Sequence, residues 1–156
     1  MRGDLTNAEM DALLGTERIG HLGCLDGNRP YVVPMAFVFH DDVLYGQTTE
    51  GKKVEMLRKN PTVCFQVEAL KEKQWKSAML YGTFEELDFE NLPPGAIPAI
   101  KLLTERIGTI QDDIGVKIPY AYSVNAILPL KVNEKTSTLF RIVVTEKSGK
   151  FYRAKE

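Results

Sequence analysis

Apolar residues recur along the chain in short alternating runs. Ile19 to Leu25, Tyr31 to Phe39 and Val43 to Thr48 each read as a strand of period two. Asp26-Gly27-Asn28-Arg29-Pro30 separates the first pair as a hairpin turn, and Asp41-Asp42 makes the next turn. Thr62 to Ala69 sets Val63, Phe65 and Val67 on one face, and the charged turn Lys71-Glu72-Lys73-Gln74 follows. Ser77 to Leu87 then aligns Ala78, Leu80, Gly82 and Phe84. Val124 to Val132 and Leu139 to Thr145 read as the last long strands. Lys147-Ser148-Gly149-Lys150 reads as a turn before a short strand at Phe151-Tyr152-Arg153. Pro34 lies inside the second strand and cannot donate to a ladder, so the strand must expose that position or bulge there.

Helical spacing appears three times. Thr6-Asn7-Ala8-Glu9 has the form of a capping box, and Met10, Leu13 and Leu14 follow it, which predicts a helix over residues 7–14 ended by Gly15. Val54 and Leu57 share a face behind Gly51, and Asn60-Pro61 stops that helix, leaving Arg58 and Lys59 to solvate its outer side. Asn91 to Pro98 reads as a loop, and Leu103, Ile107 and Ile110 then mark a helix from Ala99 to about Ile110. Six or seven strands stand against three short helices, and the turns between strands are too short for parallel crossovers. The fold class is therefore mainly β, an antiparallel six- to seven-stranded barrel, formed as a single domain over residues 1–156.

Charge narrows the partners. Twenty Lys and Arg oppose 21 Asp and Glu, a net charge of −1, which argues against a broad basic field for nucleic acid. The apolar runs fall far short of the ~20 residues of a membrane span. Residues Met1 to Asn7 are polar and carry no signal-peptide core, so the expected location is the cytoplasm. Cys24 and Cys64 lie within apolar strands, 40 positions apart and without metal-ligand spacing. With only His21 and His40 beside them, no metal site is expected. His21 reads as a hydrogen-bonded strand residue and His40 as a solvated turn residue.

One segment carries chemistry. Gly46-Gln47-Thr48-Thr49-Glu50-Gly51-Lys52-Lys53 leaves a strand, turns at a glycine and enters a helix. Free N–H groups and partial positive charge at a helix start favour anions, Lys52 and Lys53 add formal charge, and Thr48 and Thr49 add hydroxyl donors. The same residues read equally as a solvated helix start, since a lysine pair at a turn is common. Gly46, Gly51 and Lys52 also satisfy G-x-x-x-x-G-K. However, Lys53 stands where a nucleotide-hydrolysing loop needs Ser or Thr for magnesium, and the antiparallel context is wrong for such a loop.

Several segments, taken in order, are similar to the pyridoxamine 5′-phosphate oxidase-like family of FMN-binding split barrels, and within it to the flavin-nucleotide-binding branch that includes nitroimidazole-resistance proteins. They are Gly20-His21-Leu22-Gly23-Cys24-Leu25, then Arg29 to Met35, then Gly51 to Leu57, then Asn60 to Phe65, and finally Trp75-Lys76-Ser77 leading into Tyr81 to Leu87. The resemblance covers about Leu13 to Leu87. It implies FMN as cofactor ahead of the deazaflavin F420 and haem. It implies Lys53 at the FMN phosphate, assisted by Lys52, Thr48 and Thr49, and backbone near Val33, Pro34 and Met35 along the isoalloxazine edge. Ser77 takes the place of a polar residue that reaches FMN, with Trp75 beside it. The resemblance also implies a homodimer with FMN at its interface, and a flavin-dependent reductase or oxidase acting on a small-molecule substrate or electron donor. A non-catalytic flavin carrier or sensor is the alternative, and a haem-binding split barrel stands behind both. The family's pyridoxamine-phosphate oxidases hold substrate with a C-terminal Trp and Arg residues; here the tail is Phe151-Tyr152-Arg153-Ala154-Lys155-Glu156 and the only tryptophan is Trp75, which argues against that reaction.

Overall fold

The computed structural model describes residues 1–88, 90–117 and 138–155. They form β1 (Arg2–Asp4), α1 (Asn7–Thr16), β2 (Ile19–Asp26), β3 (Arg29–His40), β4 (Val43–Thr48), α2 (Lys52–Lys59), β5 (Thr62–Lys71), β6 (Gln74–Glu86), α3 (Ala96–Ile114) and β7 (Thr138–Arg153). The strand expected over Val124 to Val132 lies outside the described residues.

Every strand pair is antiparallel, and the sheet runs β1-β7-β4-β3-β2-β5-β6. A further pairing of β6 with β7 closes six of these strands into a barrel. Closure is incomplete at two seams. β2 meets β5 over only His21↔Gln66 to Gly23↔Cys64, and β3 meets β4 only from Phe37↔Gly46 to His40↔Val43. The amino-terminal half of β3 therefore has a strand on one side only. Pro34 lies in that half, paired with His21 in an unbroken register and exposed. The strand accommodates the proline through its free edge and does not bulge.

Two cores follow from strand alternation. Inside the barrel Leu22, Phe37, Leu44, Phe65, Leu80, Phe140 and Ile142 are buried together, with Phe37 and Phe65 meeting edge-on at 5.2 Å. On the outer face Val38, Tyr45 and Leu139 pack under Ala99, Ile100, Leu103 and Ile107 of α3. Residues of both parities on β3 and β4 are thus buried, which explains the continuous run Val43-Leu44-Tyr45.

The helices follow their sequence signals with shifted ends. The capping box is formed: the Glu9 amide donates to Thr6 Oγ1 at 3.2 Å, and the Thr6 amide donates to Glu9 Oε2 at 2.8 Å. α1 runs past Gly15 to Thr16, because the Glu17 amide still donates to the Leu13 carbonyl at 3.1 Å. The Arg106 guanidinium supports this end from α3. It donates to the carbonyls of Gly15 (2.5 Å), Glu17 (2.8 Å) and Phe37 (3.0 Å), tying helix end and barrel strand to one side chain. α3 begins at Ala96, inside the expected loop, and is 19 residues long. Pro98 falls in its first turn, where the missing N–H costs nothing.

Two features differ from expectation at the carboxyl end. Lys147 to Lys150 is not a turn but the middle of β7, paired with β6 from Leu80↔Lys147 to Ser77↔Lys150. Gly149 is there for space: a Cβ would stand 2.9 Å from both Leu5 Cδ1 and Met10 Cγ. The irregularity sits instead between Tyr81↔Glu146 and Gly82↔Val144, where Thr145 is the extra residue and its hydroxyl donates to the Tyr81 carbonyl at 3.2 Å. β1, a polar segment without alternation, forms by pairing with the far end of β7, Arg2↔Tyr152 to Asp4↔Lys150.

Arg106→Leu removes three donor contacts to backbone carbonyls while keeping an apolar stem. It is expected to cost about 2–4 kcal/mol, on the scale of charged hydrogen bonds with partial exposure, read as a lower urea midpoint with an unchanged slope. An unaltered midpoint would mean that the three carbonyls are satisfied by solvent.

Candidate functional site

The sheet positions the glycine–lysine segment. β4 ends at Thr48, which β7 holds through Thr48↔Thr138 and which is buried. The chain then turns through Thr49, Glu50 and Gly51 and enters α2 at Lys52. Gly51 has φ 154°, which side chains rarely adopt, and a Cβ there would meet nothing within 4 Å. No side chain caps the first turn of α2. Its first-turn amide donors therefore have no side-chain cap.

The two lysines differ sharply. Lys52 is exposed, and its ammonium pairs with Asp26 Oδ2 at 3.2 Å, at the β2–β3 turn; Arg29 Nη2 reaches the same oxygen at 3.1 Å. The Lys52 hydrogen bond, followed by that of Arg29, holds the Asp26 carboxyl below its ordinary range. Lys53 is half-buried and donates to Thr48 Oγ1 at 2.9 Å. Among the described residues no carboxylate lies within ion-pair distance of it. Burial pushes its ammonium below the ordinary lysine value of 10.5, opposed only by the nearby Cys24 thiol. Burial in turn raises the Cys24 thiol, which Lys53 opposes. A desolvated cation beside a hydroxyl and unshielded amides is a site that an anion would complete.

A carboxylate does occur in this segment, but it is engaged by other partners. Glu50 accepts from Thr138 Oγ1 and from Arg58 Nη2, the latter at 2.9 Å. Arg58 also donates to both carboxylate oxygens of Glu86, at 2.6 and 3.0 Å. Arg58, expected to solvate the outer helix face, thus links α2, the turn before it and the end of β6. Its partners lie 8 and 28 positions away, and no periodic pattern marks them. Hydrogen bonds from Thr138 first, and then Arg58, hold the Glu50 carboxyl below its usual range against partial burial.

The β3 residues lie across the open seam. The β3–β4 ladder stops at Phe37↔Gly46, and continuing its register sets Met35 opposite Thr48 and Pro34 opposite Thr49. Met35 is buried in the barrel core and Val33 packs against that core, so the exposed Pro34 and the backbone border the gap. On the outer face a cleft of about 160 Å³ opens between Pro34 and Ala36 of β3, Gln47 of β4, and Ile107 and Ile110 of α3.

Trp75 and Ser77 are not brought to this place within one chain. They pair with Tyr152 and Lys150 at one end of β6, whereas Glu86, bonded to Arg58, ends the strand. Nine residues from Ser77 to Glu86 span about 30 Å. Trp75 is half exposed, stacks on Tyr152 at 5.7 Å, and donates through Nε1 to Glu68 Oε2 at 3.0 Å. His21 is exposed and its Nδ1 lies 3.2 Å from Gln66 Oε1, while His40 Nε2 lies 3.3 Å from Asp41. Among the described residues no group of three or more His, Cys, Asp and Glu side chains gathers to hold a metal ion, and no helix is long and apolar enough to cross a membrane.

Comparison with known proteins bears on this geometry. A family model described as pyridoxamine 5′-phosphate oxidase matches residues 6–107, well over half of the 156 residues. The uncharacterized protein RA0666 of Rhizobium meliloti (strain 1021) is 29% identical over 84 residues, which are 53% of this chain and 56% of that protein. The match thus spans little more than half of that relative's length. An FAD-binding protein of Mesorhizobium loti superposes with a TM-score of 0.73 at 26% identity, covering 97% of this chain and 96% of that one. A candidate 5-nitroimidazole antibiotic resistance protein of Bacteroides thetaiotaomicron gives 0.68 at 22% identity, covering 97% and 87%. The FAD and heme binding protein of Mycobacterium smegmatis gives 0.69 at 16% identity, covering 98% and 74%. The last two likenesses bear on the fold alone. The chain belongs to the pyridoxamine 5′-phosphate oxidase family, and its incompletely closed antiparallel sheet is the split barrel of that family.

Proposed function

We propose that this protein binds FMN by its phosphate at the start of α2 and acts as a flavin-dependent oxidoreductase on a small molecule. The observation that carries this reading is Lys53, a half-buried ammonium with a hydroxyl partner and no carboxylate partner among the described residues. The FAD-binding character of the Mesorhizobium relative supports a flavin nucleotide as the anion. Bound flavin supplies the hydride or electron transfer, and the protein supplies binding and orientation.

Each residue then has a part in that binding. Lys53 offsets the phosphate charge, Thr48 and Thr49 offer hydroxyl donors, and Gly51 leaves the amides of α2 approachable. Lys52 adds long-range attraction while remaining paired to Asp26. Pro34 and the backbone between Val33 and Met35 border the ring edge at the free side of β3. Trp75 and Ser77 lie too far along β6 to join from the same chain; in this reading a second copy, in a homodimer, supplies them. Cys24 and Cys64 are both unbridged, the state that a reducing cytoplasm maintains. F420 offers the same phosphate to Lys53, and the mass of the released cofactor separates FMN, FAD, F420 and haem.

Purified protein is expected to take up FMN and show a flavin spectrum. Lys53→Ala should weaken that binding by about 1.5–3 kcal/mol, the scale of a charged hydrogen bond. With its folded value depressed, Lys53 contributes a stability that rises with pH up to 10.5, and the variant should lack that rise. A colourless protein with no uptake at saturating FMN would overturn the reading. Anaerobic NADH or NADPH is expected to reduce the bound flavin faster than free FMN; no acceleration would favour the carrier or sensor. Ser77→Ala should weaken FMN binding in a protein that sedimentation shows to be a dimer, and unchanged affinity would remove the second copy from the site.

A further inference from the structure

We propose that Arg58 is a positioning residue for this site: it draws the Glu50 carboxylate toward β6 and β7, neutralises it there, and so keeps the start of α2 open to an anion. The inference rests on the flavin-phosphate reading above. Glu50 directly precedes Gly51 and stands three positions before Lys53. A carboxylate so placed would reach the first-turn amides of α2, since an acidic side chain beside a helix start is the natural partner of those donors. Left free, it would occupy the place of a phosphate and repel one electrostatically.

The geometry prevents this. Glu50 is engaged by Thr138 Oγ1 and by Arg58 Nη2, and Arg58 is itself braced by two contacts to Glu86. Lys53 is engaged separately, by Thr48 and with Cys24 nearby, and no carboxylate lies within ion-pair distance of it among the described residues. The turn's one carboxylate and its one half-buried ammonium thus have different partners and form no ion pair with each other. Arg58 suits this work because its planar fork serves two carboxylates at once, which a lysine cannot reproduce. A guanidinium seven positions after Gly51 would otherwise be free to bind the anion itself; committed to Glu50 and Glu86, it acts through Glu50 instead.

The test compares wild type, Arg58→Ala, Glu50→Gln and the double variant Arg58→Ala/Glu50→Gln. Two probes are used: FMN, read by flavin fluorescence, and inorganic phosphate, read by its shift of the thermal midpoint. Arg58→Ala is expected to weaken both by about five- to tenfold, the scale of one partly screened charge pair. Glu50→Gln should lose no affinity, and the double variant should bind like wild type. Rescue is the decisive readout, because a merely structural role of the Arg58–Glu86 bridge would leave the double variant as weak as Arg58→Ala. That outcome, or an Arg58→Ala protein that binds like wild type, would overturn the proposal. If Arg58→Ala does not fold, Arg58→Lys and Arg58→Lys/Glu50→Gln are judged on the same criterion. Wild type that binds phosphate but not FMN would sink the flavin reading while the clamp is judged on phosphate; wild type that binds neither would overturn both.

Discussion

The double hydrogen bonding of β7 is the constraint on which the rest of this structure depends. One edge of this 16-residue strand takes β4 and then β1, and the other takes β6 along nearly its whole length. Without that strand the sheet would end in two open edges, at β4 and β6. With it, the barrel closes over one apolar interior, and Thr138 arrives beside Thr48. The end of β4, the turn through Gly51 and the first turn of α2 all take their place from that pairing. The same strand supplies the hydroxyl that holds Glu50.

Closure by β7 is balanced by incompleteness elsewhere. β3 and β4 part after Phe37↔Gly46, and α3 covers the outer face where they still touch. A fully laddered barrel would leave no gap beside Thr48. The free edge of β3 tolerates Pro34 for the same reason that it can border a ligand: no neighbouring strand requires its donors. Arg106 stiffens this region from outside, joining α3 to the end of α1 and to Phe37.

Charge is organised by commitment more than by amount. A net charge of −1 offers no bulk field, and most cations near the site are already engaged. Lys52 serves Asp26, while Arg58 serves Glu50 and Glu86. Lys53 alone in the segment faces a neutral partner and pays for burial with a depressed affinity for its proton. Two adjacent lysines of identical chemistry therefore take different partners, one pairing with the carboxylate at the β2–β3 turn and the other with a buried hydroxyl.

Local patterns were sufficient for much of this. Strand alternation, the Asp26–Pro30 and Asp41–Asp42 turns, the Thr6–Glu9 capping box and the Asn60-Pro61 stop are short-range signals, and the elements they mark among the described residues are present. The glycine–lysine segment was legible too, because strand end, glycine and paired lysines are contiguous. What escaped local reading depends on distant neighbours. Gly149 looks like a turn residue until Leu5 and Met10 are seen to fill the space above it. β1 has no pattern of its own and becomes a strand only by pairing with β7. Arg58 looks solvated until Glu86, 28 positions away, is brought beside it. By itself the sequence determined the antiparallel class and the strand–glycine–helix form of one segment, since both rest on spacings of a few residues. Which lysine meets a carboxylate, which carboxylates Arg58 engages and where Trp75 and Ser77 lie were decided only by the tertiary structure, because each depends on contacts that sheet closure creates between remote parts of the chain.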